Sequence, residues 1–357
     1  MIRVLVAEDS PTARLLLVSM LSAESDIRIV GEATTGREAV DMAEQLQPDL
    51  VTMDVHMPEM DGLEATKQIM MRSPRPIIIV SSAARIDEVA LSLEATRAGA
   101  LMVLPKPEGP GSPGFAGDSR QLVSMVRAMS QVKVVRKHGA STTPSTSVTP
   151  PSRPAYGRPP ATAGATAPVR LIAIGASTGG PAALRTILSE LPGGFSVPIL
   201  IVQHIAKGFT LGLAQWLGGD SRLRIKVAEL GERLARATVY IAPDDRHMGC
   251  QLDVNGDIRI SLSSEPAVGA FRPSATYLFQ SVADTLGASA IAVILTGMGD
   301  DGVAGLRVFK SRGGRVIAQD EASSVIYGMP REAARAGVVD VTLGINAVAR
   351  KLVELTE

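Results

Sequence analysis

The sequence predicts two α/β domains, each a doubly wound parallel sheet, joined by a linker. Three observations predict this. Short apolar runs alternate with amphipathic stretches of helical length in both halves of the chain, the pattern of βα units around a parallel sheet. The length, 357 residues, suits two domains at roughly 150 residues each. Between the halves, residues 138–168 hold seven prolines and ten Ser or Thr, with only Val148 and Tyr156 as large apolar side chains. That segment buries too little surface to offset its ordering entropy, so a disordered linker is expected between domains at 1–137 and 169–357.

In the first domain, strands are expected at residues 2–7, 27–33, 50–53, 76–80 and 100–104. Amphipathic helices fall between them near 11–23, 36–47, 62–72 and 87–98, with a fifth near 119–137. In the second domain, strands are expected at 169–175, 197–203, 225–230, 239–242, 290–296, 316–319 and 338–342. Its helices are expected at 181–190, 211–217, 273–286, 302–311 and 346–355. Asn255-Gly256, within CQLDVNGDIRISL, predicts a type I′ hairpin inserted into the α/β pattern.

Composition narrows the function classes. Thirty-six basic residues balance thirty-six acidic ones, which argues against a broad basic surface for nucleic acid and against a polybasic membrane clamp. Aromatics are 3% of the chain, with Trp216 the single tryptophan, so stacking platforms for single strands are not expected. The lone Cys250 can form no disulfide within the chain, and no Cys/His metal spacing exists. Glu8 and Asp9 stand where a signal peptide needs its apolar stretch, and no apolar run approaches bilayer length. A soluble, cytoplasmic protein with no membrane insertion is expected.

Chemistry-bearing residues cluster at the expected strand ends, where ligands collect on such sheets. Glu8 and Asp9 follow the first strand, Asp54 the third, Ser81 the fourth and Lys106 the fifth. Three converging carboxylates repel one another, which favours a hard divalent cation with oxygen ligands, Mg²⁺ foremost. Asp54 could then act as nucleophile toward a phosphoryl donor, with Lys106 and the Ser81 hydroxyl holding the transferred oxygens. Any one of these acids alone would be read as a helix cap; five such groups at successive strand ends are far more specific.

Around them, VAEDSPTAR, MDVHMPEMDG, IIIVSS and LPKP resemble the receiver domain of two-component response regulators, over the whole first domain. The resemblance implies a flavodoxin-like fold, with Asp54 as phosphoacceptor and Glu8 and Asp9 as the acidic metal pocket. It makes Ser81 and Lys106 the switch residues and Lys106–Pro107 a cis peptide bond. His56 lies two residues after the phosphoacceptor, where it would offer its carbonyl rather than its imidazole to the metal. Val103 stands where many receivers carry an aromatic switch residue, so an aromatic rotamer flip cannot carry the output.

In the second domain, Gly175-Ala176-Ser177-Thr178-Gly179-Gly180-Pro181 joins the first strand to its helix. By itself this loop reads equally as a phosphate cradle, a nucleophile elbow of the Gly-x-Ser-x-Gly type, or a structural turn. The dinucleotide fingerprint fails, because Ser177 stands in place of its second glycine. His204 follows the strand PILIVQ, and Asp300-Asp301 follow AVILTGMG, both on the same sheet edge as Ser177. A serine needs a base and the base needs an acid, so this convergence favours a triad. The order Ser…His…Asp disfavours the α/β-hydrolase fold.

LIAIGASTGGP, QHIAKGFT, YIAPDDRHM, FRPSATYLF, ILTGMGDDG and AQDEASSVIYGMP are similar to the catalytic domain of the chemotaxis protein-glutamate methylesterases. Their receiver–linker–esterase order matches the chain from end to end. The resemblance implies a Rossmann-like catalytic domain with Ser177 as nucleophile, His204 as base and Asp301 as acid, and no cofactor there. Asp300 stands where the family usually has Asn. Thr178 supplies a candidate oxyanion N–H, Met298 and Gly299 line the crevice, and Arg272 is a candidate contact for an acidic substrate. His247 is the runner-up base. The reaction implied is hydrolysis of glutamate methyl esters on methyl-accepting chemotaxis receptors, with glutamine deamidation open by the same route. The chemotaxis histidine kinase would be the phosphodonor, and the unphosphorylated receiver would cover the active site.

Overall fold

A computed structural model describes residues 1–82, 86–132, 134 and 167–357. Residues 138–166 of the expected linker lie outside the described residues. In the first half, β1 (Ile2–Ala7), α1 (Pro11–Ser22), β2 (Ile27–Ala33), α2 (Gly36–Leu46) and β3 (Leu50–Met53) are followed by α3 (Gly62–Arg72), β4 (Ile77–Ser81), α4 (Ile86–Ala98), β5 (Met102–Pro105) and α5 (Phe115–Met129). The strands form one parallel sheet in the order β2-β1-β3-β4-β5. Helices cover both faces, so β3 and β4 are buried along their whole length. Leu17 and Leu21 of α1 pack with Val123 and Val126 of α5 on one face. Val40, Ile69 and Ala95 from α2, α3 and α4 fill the other. Ser10, Thr35 and Asp61 start α1, α2 and α3 by accepting hydrogen bonds from the amides of Ala13, Glu38 and Glu64.

The second half runs β6 (Leu171–Ala176), α6 (Gly180–Glu190), β7 (Ile199–Gln203), α7 (Thr210–Gly218), β8 (Arg224–Val227), β9 (Thr238–Ile241), β10 (His247–Leu252) and β11 (Ile258–Ser263). It continues α8 (Ala275–Leu286), β12 (Ala290–Ile294), α9 (Val303–Ser311), β13 (Arg315–Gln319), α10 (Met329–Arg335), β14 (Val341–Leu343) and α11 (Ile345–Thr356). Seven parallel strands stand in the order β14-β13-β12-β6-β7-β9-β8. From β6 the chain moves outward through β7 on one side and later through β12 on the other. The order thus reverses between β6 and β12, and a crevice opens beyond their carboxyl ends. The antiparallel pair β10–β11 packs against α8, where the Cys250 amide donates to the Ser281 hydroxyl at 3.0 Å.

Several local expectations change. The hairpin turn is not type I′, because Asn255 keeps a negative φ and only Gly256 is left-handed, at φ 77°. The Asp253 carboxylate accepts from the amides of Asn255 and Asp257 at 2.9 and 3.0 Å, which draws the loop into a longer turn closed by the glycine. The Lys106–Pro107 bond is not cis; among the described residues only Arg272–Pro273 is. A trans X-Pro bond is the favoured isomer by roughly 0.5–1 kcal/mol, and Lys106 reaches its carboxylate partners from it. Helix α5 starts at Phe115 and ends at Met129 rather than running from 119 to 137. The helix expected from 273 starts at Ala275, because the Ser274 hydroxyl caps the Tyr277 amide at 3.4 Å. Helix α10, seven residues long, is not predicted from the sequence pattern.

The two halves pack directly on each other. Val89 and Leu93 of α4 join the core that holds Phe209 and Leu213, at the start of and within α7. Gly212 lets α4 come this close, since a Cβ there would overlap the Val89 side chain. Beside this knob, Glu94 Oε1 accepts from Trp216 Nε1 at 2.7 Å and from Arg185 Nη1 at 2.6 Å. The Arg185 guanidinium lies over the Trp216 ring, 4.4 Å from its centroid, and also pairs with Asp220. Burial opposes the Glu94 charge, yet hydrogen bonds from Arg185 and Trp216 hold its carboxyl below the ordinary value. Glu94→Lys should put two cations face to face and leave the Trp216 N–H without its acceptor. The radius of gyration from small-angle scattering should rise, and emission from this single tryptophan should move to longer wavelength. Unchanged scattering and emission would show that the packing does not depend on Glu94.

Candidate active site and acidic pocket

At the carboxyl end of the first sheet, Glu8, Asp9 and Asp54 bring carboxylate oxygens within 4.8 Å of one another. Lys106 Nζ donates to Glu8 Oε1 and Asp54 Oδ2, both at 2.9 Å. The other Asp54 oxygen accepts from the Val55 amide at 2.7 Å. Glu8 is fully buried, and its Oε2 has no hydrogen-bond partner among the described residues. Burial pushes the Glu8 pKa up, the Asp54 charge adds to this, and Lys106 opposes it. Burial likewise works against the Lys106 charge, but its two carboxylate partners raise its pKa above the ordinary value. Three acids with an orphaned buried oxygen fit a hard divalent cation such as Mg²⁺. Ser81 sits buried at the end of β4, and its hydroxyl donates to the Ser82 carbonyl at 3.4 Å. His56 is exposed and stands outside the acidic cluster.

At the carboxyl end of the second sheet, the turn after β6 carries Ser177, Thr178 and Gly179. Gly179 adopts φ 77° in front of α6, a left-handed geometry that glycine supplies without strain. The Ser177 amide donates to the Thr296 carbonyl at 3.0 Å and is thereby committed. The amides of Thr178 and Gly179 have no acceptor among the described residues. Gln203, the last residue of β7, donates from Nε2 to the carbonyls of Ser177 and His204 at 2.8 and 2.9 Å, tying the turn to the next strand end. His204 Nε2 donates to Asp301 Oδ2 at 2.8 Å, while its buried Nδ1 has no partner among the described residues. No hydrogen bond joins the Ser177 hydroxyl to His204, though both line the same cleft. An imidazole held through Nε2 by a carboxylate keeps Nδ1 as a lone-pair acceptor, fit to take a proton from a hydroxyl.

Asp301 is the anchor of this arrangement. It also accepts from the Ser274 hydroxyl at 2.7 Å and from the amides of Ala275 (2.7 Å), Thr276 (3.1 Å) and Gly302 (2.9 Å). Two of those amides open α8, so the carboxylate occupies a helix N-terminus. Burial alone would raise its pKa, but His204, Ser274 and the Ala275 amide hold it down at about 2. Asp300, by contrast, is exposed. His247 is enclosed within β10, stacked on Tyr277 with Nε2 against the Pro266 carbonyl at 3.1 Å, and does not line the cleft. Met298, Gly299 and Arg272 do line it. The cleft has a volume of about 590 Å³, and Val103, Leu104 and Met125 of the first half form its opposite wall.

Residues 172–352 match the family described as CheB methylesterase, and residues 4–112 match the response regulator receiver domain. The chain belongs to the CheB methylesterase family. Among the relatives of this CheB-family chain is the protein-glutamate methylesterase/protein-glutamine glutaminase 4 of Myxococcus xanthus. It is 50% identical over 352 residues, 98% of this chain and 96% of that protein. The protein-glutamate methylesterase/protein-glutamine glutaminase 3 of Anaeromyxobacter dehalogenans is 48% identical over 99% of this chain and 98% of that protein. The crystal structure of the Thermotoga maritima CheB methylesterase catalytic domain superimposes with a TM-score of 0.51. It shares 40% identity and covers 52% of this chain and 98% of that one.

Sequence reasoning about this CheB-family chain missed Gln203, Phe271 and Ser274. Gln203 could have been flagged as a polar residue closing an otherwise apolar strand, where it must find partners. Phe271 stacks on the His204 ring, and nothing in its spacing signals this long-range contact. The Asp301 charge gives a pH test. Its carboxyl titrates at about 2 in the folded chain, below its ordinary 3.8. The stabilisation, about 2 kcal/mol, is therefore fully present above roughly pH 4 and is lost as the pH falls toward 2. Asp301→Asn should lower the unfolding free energy by about that much at pH 7. Urea titrations at several pH values should show the gap from the parent narrowing below pH ~4; a gap independent of pH would overturn this account.

Proposed function

We propose that the chain is a phosphorylation-activated serine hydrolase that removes methyl esters from glutamates of methyl-accepting chemotaxis receptors. In this reading, residues 1–137 are the receiver, 138–168 the linker and 169–357 the catalytic domain. The observation that carries it is the His204–Asp301 hydrogen bond, which leaves His204 Nδ1 unpaired in the cleft that Ser177 lines. The Ser177 hydroxyl attacks the ester carbonyl while Nδ1 takes its proton, and Asp301 stabilises the imidazolium that forms. The uncommitted Thr178 amide donates to the oxyanion. As the tetrahedral adduct collapses, His204 returns the proton to the leaving methoxide, releasing methanol. Water, deprotonated by the same imidazole, then hydrolyses the acyl-enzyme to the carboxylate. A glutamine side chain would follow the same route with ammonia leaving, as the names of the relatives suggest for those proteins. Met298 and Gly299 border the ester, and Arg272 faces an acidic receptor segment.

Asp54 accepts the phosphoryl group from a chemotaxis histidine kinase. Glu8, Asp9 and Asp54 would hold Mg²⁺, which when bound neutralises phosphoryl charge. Lys106 and the Ser81 hydroxyl hold the transferred oxygens. Before phosphorylation, α4 and β5 wall off the Ser177 cleft, supported by the Val89 knob and the Glu94 hydrogen bonds. About 1.4 kcal/mol taken from that packing shifts the closed–open equilibrium tenfold. The substrate receptors and the kinase place the enzyme in the cytoplasm, and no described helix is long and apolar enough to cross a membrane.

Ser177→Ala and His204→Ala should each abolish methanol release from methylated receptor while preserving cooperative unfolding, because triad members act as a unit. Near-normal turnover by Ser177→Ala would overturn the assignment. Residues 169–357 alone should hydrolyse receptor esters faster than the intact unphosphorylated chain. A small phosphodonor with Mg²⁺ should stimulate the intact chain only, and Asp54→Asn should remove that stimulation without lowering basal turnover. A fragment slower than the parent would make the receiver an activator rather than a cover.

A further inference from the structure

Among the described residues the imidazole of His204 makes a single hydrogen bond, through Nε2 to Asp301, and its Nδ1 has no partner. One hydrogen bond fixes a point on a ring but not the ring's plane. Rotation about that bond would re-aim Nδ1. A second contact bears on the plane. Phe271 lies flat on the imidazole, with ring centroids 4.0 Å apart and planes within 4° of parallel.

Phe271 is itself held firmly although the segment around it is exposed. It exchanges two backbone hydrogen bonds with Val268, each at 3.1 Å, which closes a tight loop through left-handed Gly269. Upstream, the buried His247 reaches the Pro266 carbonyl through Nε2 at 3.1 Å. Downstream, Ser274 caps α8 and donates to Asp301 Oδ1 at 2.7 Å. The strap from Ser264 to Ser274 thus touches both partners of the pair, Phe271 on the imidazole and Ser274 on the carboxylate.

We propose that Phe271 is a positioning residue, which fixes the plane of the His204 ring so that its free Nδ1 is presented to Ser177. This rests on the triad reading above. Phe271 contributes no proton and no donor to the reaction; it acts through His204 alone. An aromatic ring of any kind can supply the flat surface, whereas an aliphatic side chain of similar bulk cannot.

The test uses the full-length protein with its phosphodonor and methylated receptor. Phe271→Leu should lower kcat on the order of tenfold to a hundredfold, the scale expected when a reacting group is misaimed, with KM nearly unchanged. Phe271→Tyr and Phe271→Trp should restore most of kcat. The chain has four histidines, so the imidazole protons of His204 can be assigned by nuclear magnetic resonance from their loss in His204→Gln. In the parent those protons should be displaced upfield by the Phe271 ring current, and Phe271→Leu should abolish the displacement while leaving the His247 signals in place. A kcat unchanged in Phe271→Leu overturns the proposal, as does a rise in KM alone, which would make Phe271 a substrate contact. Equal loss in the Leu, Tyr and Trp variants also overturns it, because shape rather than aromaticity would then matter. Activity remaining in Ser177→Ala overturns the triad reading instead, so the two failures are told apart.

Discussion

The arrangement around the cleft depends on one buried carboxylate. Asp301 accepts from an imidazole, a hydroxyl and three amides, and these donors come from separate parts of the chain. The bond to His204 links the end of β12 to the end of β7 across β6. The bonds to Ser274, Ala275 and Thr276 fix where α8 begins. A buried anion with that many donors stays ionised and stays in place. An apolar residue of similar size would leave the first amides of α8 unsatisfied and free the imidazole to turn. Site and scaffold are therefore one hydrogen-bonded unit here.

The fold class is legible in the sequence because both sheets are parallel and buried on both faces, which writes each strand as an apolar run such as ILIVQ or AIAVI. The residues at the strand ends are legible for the same reason. Once β6, β7 and β12 are placed, Ser177, His204 and Asp301 fall at one edge, and Glu8, Asp54 and Lys106 at another. What escapes is decided by contacts far apart in sequence. Asp300 and Asp301 look alike as letters; only the position of α8 buries one and exposes the other. His247 looks like a base until β10 encloses it against Tyr277. The hairpin turn is mispredicted because the Asp253 side chain, rather than the Asn-Gly pair alone, sets the geometry.

The contact between the halves has a different character from either core. It combines apolar side chains, Leu93 and the Val89 knob against Gly212, with a polar group in which Glu94 answers both Arg185 and Trp216. Interfaces of mixed character can hold a closed state while leaving two separately folded units intact when it opens, as a reversible cover requires. The polar part gives direction and the knob gives fit. Val103, too small to act as an aromatic switch, lies in the cleft wall with residues of α4 and α5.

Gly212 makes that packing asymmetric under mutation. The close packing of α4 on α7 requires a glycine at this position, since every other side chain carries a Cβ into the space that Val89 fills. The chemistry of the cleft does not use Gly212 at all. A substitution at Gly212 therefore disturbs the packing of the two halves without touching the residues of the cleft. If the first half covers the cleft as proposed, losing this glycine relieves the restraint and spares the chemistry, whereas losing a cleft residue abolishes turnover. Under that reading, restraint and turnover rest on separate residues, and the first can be lost while the second survives.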